Sequence, residues 1–437
     1  MVAVLRSSWA LLLGMFLLMM GNSLQGSLIG VRGAIEGFDP ALLSIVISAY
    51  FLGFLGGSRL APTMIRSVGH VRVFAAMASL ISAAFILYPA LPDLIAWGLF
   101  RLVVGFCFSC VYVVAESWLN DGADNEHRGQ ALSLYMIIQM AGIISGQGLL
   151  NFGDPAGYGL FIVVSVLVSL SFAPILLSVS PAPVYEVAKR MTLRRLFTTS
   201  PLGVYGSFAI GAIYSALFGM ASVYGTERGF TLAEIAIFSG LVYFGGLCLQ
   251  WPIGWISDRV DRRRLIIAAA ASGAGACGLA ILAEQSLYAI YVMMFVIGGT
   301  TNPLYALLIA HTNDFLEPSE MPAASSGLVF VGGVGAIGGP LIVGQMMQYL
   351  GSWAFFLFIL ICMASIVAFG LYRMTQRAAT PVEETSSYAP ISPSASPVAV
   401  EVAQEYAIDQ AEAEAEAETG EECDDTDTSR DREKTIS

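Results

Sequence analysis

Apolar residues fill the first 375 positions in long runs separated by short polar breaks, with no strand-like alternation. A helix rises about 1.5 Å per residue and the hydrocarbon core of a bilayer is about 30 Å thick, so roughly 20 apolar residues make one crossing. Such runs lie at 9–31, 40–59, 71–91, 94–119, 129–152, 157–180, 201–224, 232–256, 264–284, 287–311, 323–349 and 353–374, which predicts twelve spans. The first run follows Arg6 and has the look of a secretory signal, but eleven further spans and the lack of a small-x-small cleavage site make it the first helix. Lys and Arg are retained on the cytoplasmic side of a membrane. The connections 2–3, 4–5, 6–7, 8–9 and 10–11 carry 12 of them, from Arg59 to Arg264, and the opposite connections carry 2, Arg32 and Arg228. Both termini are therefore expected in the cytoplasm.

The pattern repeats at a spacing of about 193 residues. Gly37-Phe38 returns as Gly229-Phe230, Tyr50-Phe51 as Tyr243-Phe244, Gly105 as Gly298, Tyr112 as Tyr305 and Asn120-Asp121 as Asn313-Asp314. The expected organisation is two six-helix bundles, 1–180 and 201–375, joined by a cytoplasmic linker at 181–200. Past residue 375 the composition turns to Ser, Pro, Ala and Glu, with an alternating Ala-Glu run at 411–418. Residues 376–437 are too poor in apolar side chains to build a core and read as a disordered acidic cytoplasmic tail.

Composition sharpens this reading. Of 437 residues, 56% are hydrophobic and 12% charged, with mean hydropathy +0.71, which excludes a water-soluble chain. The net charge of −12 belongs to the tail: residues 376–437 hold 16 acids and 4 bases, leaving 17 of each in residues 1–375. No basic face offers itself to nucleic acid. The six cysteines sit mostly inside apolar runs, against a secreted disulfide framework. No phosphate-binding loop and no metal-ligand cluster is present, so neither a cofactor nor a metal is expected.

Gly254-Trp255-Ile256-Ser257-Asp258-Arg259-Val260-Asp261-Arg262-Arg263-Arg264, after the eighth run, resembles the cytoplasmic-loop signature of the major facilitator superfamily (MFS). The equivalent first-half stretch keeps Gly69 and Arg72 but presents Arg66 where the second half has Asp258. Arg101 to Gly105 is similar to the family's span-four arginine motif, and Tyr112 to Glu116 followed by Arg128-Gly129 resembles the acid and Arg-Gly pair of sugar porters, without their proline. Glu116-Ser117-Trp118-Leu119-Asn120 is similar to the end of span four in a poorly characterised bacterial branch. The resemblance implies an all-α membrane protein of two pseudo-symmetric bundles, a non-enzymatic secondary carrier that works by alternating access. In the family the signature Asp caps a neighbouring helix and anchors a charge network that breaks when the inner side opens. That role falls here on Asp258 with Arg259 and Arg262.

Charges inside spans are costly unless they face protein or water. Arg101 lies 8 residues beyond Asp93, about 12 Å into span four, with no acid at its depth. It is either held by backbone carbonyls or contacts an anionic substrate or couples it to protons. Glu116, near the inner face, is expected to supply counter-charge to a first-half loop that has Arg59, Arg66 and Arg72 without an acid. Arg66, Arg72, Glu116 and Arg128, with Asp258, Arg259 and Arg262, form the expected gate. Cavity candidates are Asn22, Gln25, Arg101, Gln139, Tyr214, Tyr243, Asn302 and Tyr305, each of which interhelical hydrogen bonding explains equally well. Asn302 precedes Pro303, which frees a mid-helix carbonyl. The expectation is a monomeric carrier in the bacterial inner membrane, embedded in lipid, moving a small solute with protons as the candidate coupling ion. The competing reading is a transporter-like receptor or scaffold that acts through its acidic tail.

Overall fold

A computed structural model describes residues 2–121, 128–177 and 191–376 and, beyond them, Tyr388, Ala389, Ile391, Pro393, Ala395, Ser396, 398–400 and 402–404. Its helices are α1 (Val2–Ile35), α2 (Pro40–Val68), α3 (His70–Ala90), α4 (Leu94–Asp121), α5 (Arg128–Leu149), α6 (Gly159–Ser171), α7 (Ala173–Leu177), α8 (Leu193–Thr199), α9 (Pro201–Glu227), α10 (Leu232–Ser257), α11 (Arg262–Leu282), α12 (Leu287–Asn313), α13 (Met321–Leu350) and α14 (Ala354–Met374). Among the described residues twelve segments are long and apolar enough to cross a membrane, in the order the apolar runs predict. The sixth is broken into α6 and α7, and the short α8 falls in the 181–200 connection.

The repeated sequence pairs have a physical cause. Gly37 and Gly229 end α1 and α9 with φ of +81° and +72°, a conformation that costs glycine little. Each is followed by a phenylalanine whose amide reaches back to close the helix end, Phe38 to the Gly33 carbonyl and Phe230 to that of Gly225, both at 2.9 Å. The next helix then starts on a cap, Asp39 for α2 and the Thr231–Glu234 capping box for α10. Gly105 and Gly298 serve close crossings. A methyl built on Gly105 would lie 1.9 Å from the Tyr50 carbonyl oxygen, and one on Gly298 would lie 2.0 Å from that of Val242. Thus α4 presses on α2 and α12 on α10 by the same device.

In the first half α1 packs on α5 and α6, and α4 on α2 and α3; in the second, α9 packs on α13, α10 on α12, and α11 on α12 and α14. The halves meet through α1 and α9, α2 and α13, and α5 and α10. These contacts are closest at the ends away from the Lys/Arg-rich connections, called the outer ends below. There Gly30 lies against Ser222, and Gly344 against Ser44 and the Pro40 carbonyl, with no room for a side chain. At the inner ends the described residues between Tyr388 and Gln404 come between the halves. Where the sequence reads as a disordered tail, Ile391, Ser396, Val400 and Ala403 are buried.

Candidate functional site

Between the halves lies a small cavity of about 60 Å³. Its wall is aromatic because helical spacing of four puts two rings on one face of each partner helix. Tyr50 and Phe54 face it from α2, and Tyr214 and Phe218 from α9, with Tyr112 added by α4 and Tyr305 by α12. The rings form a continuous ladder across the interface. Tyr214 stacks on Phe218 at 6.2 Å between centroids, Phe218 on Tyr50 at 5.7 Å, and Phe54 meets Tyr112 edge-on at 5.8 Å. Phe218 thereby joins the second half directly to the first. Offset and edge-on ring pairs of this kind add about 0.5–1.5 kcal/mol each beyond their buried area, so the ladder both lines the cavity and ties its two sides together.

Three of the expected cavity residues, Asn22, Tyr214 and Tyr305, line it. The others stand elsewhere. Arg101 is fully buried one layer behind the wall, where Nη1 donates to Gln25 Oε1 at 2.6 Å and the guanidinium carbon lies 5.2 Å from the Tyr50 ring centroid. Its Nε and Nη2, the Asn22 Oδ1 and the Gln25 Nε2 are buried without a hydrogen-bond partner among the described residues. A guanidinium over the face of a tyrosine is held by the ring quadrupole. Tyr243 is buried outside the lining. Asn302 turns to its own helix, Nδ2 donating to the Gly298 carbonyl at 3.1 Å, and packs against Gly246 of α10. Gln139 lies with Glu116 and Tyr135 against Ile391, Ala395 and Ala399 at the inner end.

The expected gate is divided. Arg262 is buried, donating to Asp314 Oδ1 at 2.5 Å and to Ser257 Oγ at 3.1 Å, with Asp258 at 3.8 Å. Asp261, not Asp258, caps α11, accepting from the Arg263 amide. Asp258 ends α10 and accepts from the Tyr388 amide at 2.9 Å. Burial raises its carboxyl above the ordinary aspartate range, opposed by the Tyr388 amide, Arg262 and Arg259. Arg259 lies over Trp255 at 4.2 Å. In the first half Arg66 is exposed on the carbonyl of Pro62, Arg72 is exposed, and Arg59 lies over Phe330 at 4.3 Å. Glu116 is buried and accepts from Tyr135 Oη at 3.3 Å and from the Ser396 amide at 3.1 Å. The Arg128 side chain lies outside the described residues.

The sequence reading missed Tyr50, Phe54, Tyr112 and Phe218 as lining residues. The signal was there: Tyr50 and Tyr112 are repeat positions, and spacings of four to Phe54 and of four between Tyr214 and Phe218 put each pair on one face.

A model of the Major Facilitator Superfamily matches residues 11–299 and 232–404. An uncharacterised MFS-type transporter of Yersinia enterocolitica is 25% identical over 360 residues, covering 80% of this chain and 91% of its own length. The uncharacterised MFS-type transporter YcaD of Escherichia fergusonii is also 25% identical, covering 81% and 92%. Among solved structures, a mutant of the nucleoside transporter NupG superposes with a TM-score of 0.72 at 12% identity, covering 84% of this chain and 99% of NupG. A bacterial homologue of the lysosomal transporter Spinster, inward-facing and unoccupied, superposes with a TM-score of 0.61 at 14% identity over 92% of this chain and 98% of its own. At these identities the structural likeness speaks for the fold.

Proposed function

We propose that this chain, which belongs to the major facilitator superfamily, is a secondary carrier that moves one small solute at a time through the aromatic cavity by rocking its two halves. The observation that carries the reading is the place of the cavity: it lies at the interface between the repeats, where alternating-access carriers hold their substrates, and both halves contribute to its wall. Closed outer ends and an inner mouth correspond to one of the two states such a cycle needs. The wall favours a compact solute with a flat apolar body that can stack on Phe218 or Tyr214, an acceptor group for Tyr50 and a donor group for Asn22 Oδ1. Arg101 gives that end of the cavity a positive potential through Tyr50 and favours an electron-rich or anionic acceptor. Protons are the proposed coupling ion. In this reading the Lys/Arg-rich ends and both termini face the cytoplasm of a bacterial cell, the protein sits in the inner membrane, and it works as a monomer.

A ligand that binds only the folded protein raises its melting temperature with occupancy. The purified chain in detergent is therefore screened for thermal stabilisation against metabolites and drugs, and hits are carried into flux measurements with proteoliposomes. The expected result is a hit that is transported and whose stabilisation is lost in Phe218→Ala and weakened in Arg101→Lys. A hit that binds in the cavity yet shows no flux in either direction, with or without a pH gradient, overturns the carrier reading in favour of a receptor.

A further inference from the structure

The inner mouth of the cavity is filled by the chain's own residues beyond α14. Three anchors hold them, and they belong to both halves. The Ser396 amide donates to Glu116 Oε2 at 3.1 Å at the inner end of α4. The Tyr388 amide donates to Asp258 Oδ1 at 2.9 Å, past the end of α10. Gln404 Nε2 donates to Asn313 Oδ1 at 3.2 Å and to Ser325 Oγ, on α12 and α13. Between the anchors Ile391, Ala395 and Ala399 pack on α5 beside Tyr135, and Pro393 and Ala395 form part of the lining of the central cavity. Gly254 completes the seat: a methyl there would lie 2.6 Å from the Tyr388 ring, so the ring occupies room that only glycine leaves.

We propose that the described residues from Tyr388 to Gln404 form an intramolecular plug that seats in the inner mouth, closes the cavity on that side and must withdraw before solute can pass. Small and β-branched residues, Ala395, Val398, Ala399, Val400 and Val402, give it an apolar face for the cleft. Its three polar anchors, two backbone amides and one glutamine, are uncharged, so none of them sets a second charge beside Glu116 or Asp258. Because the anchors lie on opposite halves, the seated plug also holds the inner ends at one separation and so opposes the rocking step. Its place in the mouth is independent of what the protein moves; its role as a brake rests on the carrier reading.

The test reads access to the cavity and needs no substrate. In a chain whose six native cysteines are replaced by alanine, a cysteine is placed at Ser58, on the cavity wall, and its labelling by a membrane-impermeant maleimide is timed in the purified full-length chain, in a chain ending at Gln376, and in Ser396→Asp, which sets a carboxylate beside Glu116. The plug predicts labelling at least tenfold faster in both altered chains, and slowing of the shortened chain toward the full-length rate when a synthetic 388–404 peptide is added. Equal rates in the full-length and shortened chains, with both melting cooperatively, overturn it. A shortened chain that melts at lower temperature but labels no faster also overturns it, because the segment is then a brace outside the path. Flux plays no part in the readout, so failure of the carrier reading leaves this result standing and the reverse holds too.

Discussion

The inner ends of the two halves solve the same problem by different means. In the second half the buried charges are paired inside the bundle: Arg262 meets Asp314 at 2.5 Å, with Ser257 and Asp258 around it. In the first half the loop arginines point away, Arg66 to a carbonyl of its own helix and Arg59 to Phe330, while the buried Glu116 takes its hydrogen bonds from Tyr135 and from the returning segment at Ser396. The helix crossings, by contrast, are alike in both halves, with Gly105 and Gly298 set equally close to a neighbouring backbone. Duplication has kept the steric side of the design, where any side chain would push the crossing helices apart. The electrostatic side has diverged, because a charge can be compensated by any group that reaches it, including one from the far end of the chain.

The largest expected effect separates the two loops. Removing one partner of a buried ion pair costs about 3–5 kcal/mol, because the charge left behind loses its compensation. Arg262→Ala takes the guanidinium away from Asp314 and is expected to lower thermal stability by that order. Arg66→Ala, at an exposed position, is expected to stay within about 0.5 kcal/mol. Melting curves of the two variants in one detergent give the comparison directly. A large loss in Arg66→Ala would show that the first-half loop has a buried partner after all and that the halves are electrically alike.

Next in size come the crossings. Overpacking a close contact costs about 1–3 kcal/mol, and neither backbone carbonyl can move without its helix. Gly105→Ala and Gly298→Ala are expected to destabilise by similar amounts. A loss confined to one half would mean that the crossings, too, have drifted apart.

How much of this was legible beforehand follows the same division. Span number and order could be read because hydrocarbon demands long apolar helices whatever packs around them. The repeat could be read because Gly37, Gly229, Gly105 and Gly298 stand where a turn or a crossing admits only glycine. Cavity residues were harder. Asn302 and Gln25 are polar in a span, which marks them equally for a hydrogen bond to backbone or to a neighbour, and that is where they went. Seven of the 18 lining residues are aromatic, and an aromatic side chain in an apolar helix carries no mark of which way it faces until its i+4 partner is considered. The segment at 388–404 was hidden for another reason. Its apolar face is too short to signal a span, and the depth at which Ser396 reaches Glu116 is a property of the cleft, visible only once the helices are assembled.

The smallest expected effect tests whether Glu116 belongs to its own half or to the returning segment. Glu116→Gln keeps the shape and an acceptor oxygen but cannot carry the carboxylate charge, so, compared at alkaline pH where the carboxyl is ionised, the amide of Ser396 donates to a weaker acceptor. Hydrogen bonds to charged groups contribute about 1.5–3 kcal/mol against about 1 for neutral ones. The loss on neutralisation is thus about 1 kcal/mol, or roughly fivefold in a seating equilibrium. If the charge serves the seat, maleimide labelling at Ser58→Cys rises by that factor in the full-length chain and is unchanged by the same substitution in a chain ending at Gln376. If instead Glu116 compensates the first-half arginines, the substitution changes both chains alike, and the asymmetry between the halves disappears. The double comparison isolates the coupling, since each chain serves as the reference for the other and only an interaction between Glu116 and the segment makes the two differences unequal.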